Sequence, residues 1–110
     1  MTIELHTPHE GVQDHVVQHL KQSMIKLSQR HKTISRIEVI LREDSATDLA
    51  EDKICEIRLT IYGDSLFTHS RTNDYLASAQ EALKHVEDQA ILLEQRNKDL
   101  PDQITSTVKI

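Results

Sequence analysis

"ICEIRLTIYGDSLFTHSR", residues 54–71, is the stretch that decides the fold. Its first half alternates, with Cys55, Ile57, Leu59 and Ile61 on one side and Glu56, Arg58 and Thr60 on the other. Successive side chains of a strand point to opposite faces, so "ICEIRLTIY" (54–62) predicts a strand with one buried and one wet face. Gly63-Asp64 supplies a turn, and "SLFTHSR" (65–71) follows as a weaker strand paired to the first as a hairpin.

The same alternation appears twice upstream. In "SRIEVILRED" (35–44), Ile37, Val39 and Leu41 face inward while Glu38 and Arg42 face outward. In "TIELHT" (2–7), Ile3 and Leu5 oppose Thr2, Glu4 and His6. Between these two strands "PHEG" (8–11) breaks the first, and the period then changes: Val12, Val16, Leu20, Met24 and Leu27 recur at steps of four and three. That spacing predicts a helix from about Val12 to about Arg30. The acidic "DSATDLAEDK" (44–53) reads as a connection. Downstream of the hairpin, "NDYLASAQEALKHVEDQAILLEQRN" (73–97) carries a stripe of Leu76, Ala79, Leu83, Val86, Ala90 and Leu93. Thr72, Asn73 or Asp74 is placed to cap this second helix, since a side-chain oxygen there accepts an unpaired backbone N–H. Pro101 forbids its continuation, and "DQITSTVKI" (102–110) reads as a tail or a short edge strand.

The expected class is therefore α+β, in the order β-α-β-β-β-α. A β-α-β unit of this length makes a right-handed crossover, so the first two strands are parallel and the later ones antiparallel. Strands with one polar face want helices on the other face only, which predicts a four-stranded mixed sheet with both helices on one side. Residues 1–100 form one domain in this reading and 101–110 a C-terminal tail.

Composition narrows the function. The 110 residues are 37% hydrophobic and only 3% aromatic (Tyr62, Phe67, Tyr75), so the core is aliphatic and offers few platforms for stacking bases. A formal charge of −5 argues against indiscriminate nucleic-acid binding, DNA included, because phosphate contacts need clustered cations. Seven histidines qualify that: protonating all of them would carry the charge to +2. Cys55 stands alone, which rules out an intramolecular disulfide and a cysteine metal cluster. With no long apolar run and no signal-like start, the expected address is cytoplasmic, away from membranes.

No enzyme signature is present. His15 and His19 share a helix face at i, i+4, but "HVVQH" lacks the glutamate of the zinc-protease pattern and reads as two solvated histidines. Neither a metal nor another cofactor is expected. Most carboxylates fall on outer faces, and Cys55 fills space in a strand. The more organised feature is a row on the first helix, where His15, His19, Gln22, Lys26 and Arg30 line up beside the buried stripe at 100° per residue. Four of these five side chains can be cationic. Lys84 and His85 on the second helix would extend the row if the helices lie side by side. Such a row can track phosphates, or be an ordinary mixed helix surface. Leu92 falls off the second stripe, a candidate contact for a protein partner or a second copy.

Three local stretches, "GVQDHVVQHLKQSMIKLSQR" (11–30), "ISRIEVIL" (34–41) and "GDSLFTHSRTNDYLASAQEAL" (63–83), carry a family resemblance together with the element order. Over about residues 1–97 the chain resembles the ribosome hibernation-promoting and ribosome-associated translation inhibitor family, also known as sigma-54 modulation proteins, in its short form. The resemblance implies a non-enzymatic domain that binds the small ribosomal subunit through rRNA and silences translation under poor growth conditions. By position it implies contacts from Lys26, Lys84 and His85; Arg30, His15 and His19 join them through the row. Glu87 and Asp88 stand where that family is commonly rich in Lys and Arg, and His19 and His31 where it is usually apolar or aromatic. The alternative is a protein-interaction module on the same scaffold, with no RNA role. If His15, His19 and His85 face RNA, acidification should tighten binding.

Overall fold

The computed structural model describes residues 1–8, 11–44 and 51–99, with side chains to residue 96. Its elements are β1 (Thr2–His6), α1 (Asp14–Arg30), β2 (Ile34–Glu43), β3 (Lys53–Ile61), β4 (Asp64–Thr72) and α2 (Tyr75–Asp99). The strands form one sheet in the order β1-β2-β3-β4, with β1 parallel to β2 and the other pairs antiparallel. This is the expected α+β architecture, and both helices contribute to one core with the sheet's apolar face. The tail reading for residues 101–110 lies outside the described residues.

Alternation explains the core. Ile37, Val39 and Leu41 of β2 and Cys55, Ile57, Leu59 and Ile61 of β3 are buried beneath Val16, Leu20, Met24 and Leu27 of α1 and Ala79, Val86 and Ala90 of α2. Small alanines along α2 let that helix approach the sheet closely, so an aliphatic core closes with Tyr75 as its one buried aromatic. Val12 precedes α1 and packs against the core only in part. Ile3 and Leu5 face the helix side as expected. Ile3 is nonetheless exposed and Leu5 only half-buried, because β1 is an edge strand.

The hairpin turn sits one residue earlier than expected. Tyr62 and Gly63 are its two central residues, with φ of 54° and 79°, and Asp64 already pairs with Ile61. Two consecutive positive φ values match the right-handed twist of the flanking strands, which is why this turn closes a two-residue hairpin. The fourth strand is longer than expected, and beyond Leu66, which packs against the core, its inner face is polar. Thr68 is buried and donates to the Ala82 carbonyl at 3.1 Å. Buried Ser78 of α2 donates to the Lys53 carbonyl at 2.7 Å and sits 2.7 Å from the Thr72 hydroxyl. These bonds pin α2 to β3 and β4 where apolar side chains are lacking. Asp74 is the cap: its carboxylate accepts from the Ala77 N–H at 3.1 Å.

A bulge between Ile34 and Arg36 at the start of β2 lets Ile34 and Ile37 both point into the core. The face away from the helices is a lattice of charges, with Arg36 against Glu4 at 2.9 Å and Arg42 against Glu56 at 2.9 Å.

Candidate nucleic-acid interface

Because α1 and α2 lie side by side on the sheet, a groove of about 280 Å³ runs between them. His19, Ser23, Lys26, Leu27 and Arg30 line it from α1, and Gln80, Leu83, Lys84 and Glu87 from α2. Both sets repeat at three and four residues, so each is one face of its helix. The floor is Leu27 and Leu83, the outer parts of the two buried stripes. The rim carries the charge.

Four sequence-predicted residues meet here: His19, Lys26, Arg30 and Lys84. His15 is exposed in the first turn of α1, beyond the groove's end, and His85 is exposed on α2, turned about 100° from Lys84. Gln22 also lies outside the lining. Among the described residues, no ion pair engages Lys26 or Lys84.

Arg30 is differently placed. Its Nε and Nη2 donate to the two carboxylate oxygens of Glu87 at 2.9 and 3.1 Å, a bidentate pair across the two helices. The next residue, His31, ends α1: its backbone N–H donates to the Leu27 carbonyl at 3.0 Å. Its ring is buried between two carboxylates, with Nε2 2.9 Å from Glu87 and Nδ1 2.6 Å from Glu94. Thr33 donates to the other Glu94 oxygen at 3.1 Å. Partial burial pushes the Glu87 carboxyl up, but hydrogen bonds from Arg30 and His31, and their charge, outweigh it and hold that carboxyl below its ordinary range.

This clasp was not anticipated from sequence, where the acidic side of the second helix reads as solvated. Glu87 and Glu94 are seven residues apart, two turns on one face, and that face meets the C-terminal end of α1. The signal available in the sequence was the spacing of Glu87 and Glu94 together with a histidine directly after the last α1 cation. Its physical effect is to close one end of the groove and to neutralise one of its four potential cations. The remaining cationic side chains of the lining are Lys26, Lys84 and, when protonated, His19.

No protein-family model matches the chain, and no curated protein matches it. Solved structures do. A ribosomal subunit interface protein from Coxiella burnetii superposes with a TM-score of 0.64 at 15% identity, covering 86% of this chain and 99% of that one. The N-terminal domain of Protein Y from Thermus thermophilus gives 0.62 at 17% identity, covering 81% and 94%. The resemblance expected from the sequence thus holds at the level of the fold: this chain folds like ribosomal subunit interface proteins.

Proposed function

We propose that the groove between α1 and α2 binds the phosphate backbone of structured RNA. The target is rRNA of the small ribosomal subunit, and the protein silences translation by occupying the ribosome. One observation carries the reading: Lys26 from α1 and Lys84 from α2 line one groove, neither in an ion pair among the described residues, on a fold shared with a ribosomal subunit interface protein. Two ammonium groups on one groove with an apolar floor suit the spaced phosphates of an RNA strand, and RNA helices are read largely by shape and backbone. His19 lines the same groove, and His15 and His85 stand exposed at its margins. Arg30 contributes only when Glu87 releases it. In this reading residues 1–100 act as a single binding domain, the protein works in the cytoplasm, and it is a binding factor with no catalytic step.

The overall acidity favours a modest affinity that depends on few contacts. Each phosphate contact contributes about −0.9 to the slope of log affinity against log salt. Two lysine contacts therefore predict a loss of about twelvefold between 50 and 200 mM salt. Co-sedimentation of the wild type and of Lys26→Glu/Lys84→Glu with small subunits at both salt concentrations tests this. Binding that fades with salt and is abolished by the double substitution supports the reading. Binding indifferent to both changes would move the interface to the charged sheet face and favour a protein partner.

A further inference from the structure

The face of the sheet away from the helices holds a second constellation. Glu4 on β1 and Glu38 on β2 are register partners in the parallel pair, so two carboxylates stand side by side on one face. Like charges directly opposed on neighbouring strands destabilise a sheet unless something sits between them. Arg36 takes one share of that charge, 2.9 Å from Glu4 Oε1, and Arg58 another, 3.6 Å from Glu38 Oε1. The other oxygen of each carboxylate, Oε2, is turned toward a single atom, Nε2 of His6, at 3.3 Å in both cases. Arg36 reaches Glu38 Oε2 only at 3.9 Å.

We propose that Glu4, His6 and Glu38 form a binding site for one Zn²⁺-class cation. The three ligand atoms lie within 4.8 Å of one another. Zinc bonds of about 2.0–2.1 Å at tetrahedral angles place neighbouring ligand atoms about 3.3–3.4 Å apart. The two 3.3 Å separations in the protein match that edge, and both exceed the usual N–H···O hydrogen-bond length of about 2.9–3.0 Å. One imidazole nitrogen carries at most one proton and cannot donate a straight bond to two carboxylates at once, whereas a metal ion satisfies all three atoms together. His6 is half exposed, so an ion reaches the site from solvent, and the fourth position is left for water or for a ligand from a partner.

The two arginines decide which ion fits. Glu4, Glu38, Arg36 and Arg58 together sum to no net charge, so bulk attraction does not draw a cation in and binding rests on coordination. An N,O,O donor set then suits Zn²⁺, while Ca²⁺ and Mg²⁺ want six or more oxygens. Arg36 donates to Glu4 Oε1 at 2.9 Å and so orients that carboxylate, as outer partners of metal ligands do, while Arg58 offsets the charge of Glu38 from 3.6 Å.

Isothermal titration calorimetry of chelator-treated protein with Zn²⁺ tests the proposal, with His6→Ala, Glu38→Gln and His15→Ala/His19→Ala beside the wild type. The expected result is one Zn²⁺ per wild-type chain and no binding of Mg²⁺ at the same concentration. Affinity should fall at least tenfold in His6→Ala and in Glu38→Gln and stay unchanged in the double variant. Imidazole NMR of the wild type, which needs no substitution, should show the His6 ring as the one shifted by Zn²⁺. No wild-type binding, binding retained in His6→Ala, or loss in His15→Ala/His19→Ala would each overturn it.

Discussion

Glu87 is the residue whose replacement separates the stability of this protein from its proposed binding. Glu87→Gln removes the charge that holds Arg30 and one of the two carboxylates that hold His31. The Arg30 side chain is about half exposed, so its pair with Glu87 contributes no more than about 1 kcal/mol. The His31 ring is buried, and weakening a charge-assisted hydrogen bond there costs about 1–2 kcal/mol. Together the loss is about 2 kcal/mol, or a fall in Tm of about 8–16 °C for a domain of this size. Binding should move the other way. Arg30, released at the end of the groove, joins Lys26 and Lys84, so the salt dependence of small-subunit binding steepens by about one unit and low-salt affinity rises. Thermal denaturation followed by circular dichroism reads the first effect and salt-titrated sedimentation the second. A Tm within 2 °C or so of wild type would refute the clasp as a stabilising element, given an expected shift several times larger. Weaker binding with a flatter salt dependence would refute the idea that Glu87 restrains a phosphate-binding arginine.

Glu87 also sets a pH dependence. Its carboxyl is held below the ordinary value of 4.5, so the stability it contributes is complete above that value and is lost as pH falls through the lowered one. Urea unfolding should show stability dropping below pH 4.5, and the drop should be smaller in Glu87→Gln. Burial, with Glu56 adding, pushes the Cys55 thiol up to about 12, so Ellman's reagent at pH 8 should leave it unmodified until the chain is unfolded. Fast modification of native protein would contradict its placement in the core. Gly63→Ala meets no neighbouring atom but keeps a φ of 79°, so its cost is backbone strain of about 1–2 kcal/mol, measurable by urea denaturation.

The sheet was legible because period-two alternation survives in β2 and β3, whose inner faces are Ile, Val, Leu and Cys throughout. It was less legible in β4, whose buried Thr68 looks like a surface residue until the helix above supplies the Ala82 carbonyl, and whose Ser70 is buried as well. The turn was displaced by one because a glycine announces positive φ, while Tyr62 at φ 54° does not. In the groove, helical spacing was enough to line up His19, Lys26 and Arg30, and the pairing of the helices brought Lys84 into the same lining. What spacing along one helix cannot convey is which residues of another helix arrive beside it. Arg30 therefore read as a free cation, although Glu87 from α2 claims it, and buried His31 read as a departure from an apolar pattern when it is the centre of the clasp. His85 shows the converse: adjacent to Lys84 in sequence, it points about 100° away.

The most direct test of the central claim is sedimentation of the wild type and of Lys26→Glu/Lys84→Glu with purified small ribosomal subunits, at 50 and 200 mM salt. The account predicts co-migration of the wild type at low salt, a loss of about twelvefold at high salt, and none for the double variant under either condition. Absence of wild-type co-migration at low salt, or equal binding by both proteins, would contradict it and leave the fold without a ribosomal role.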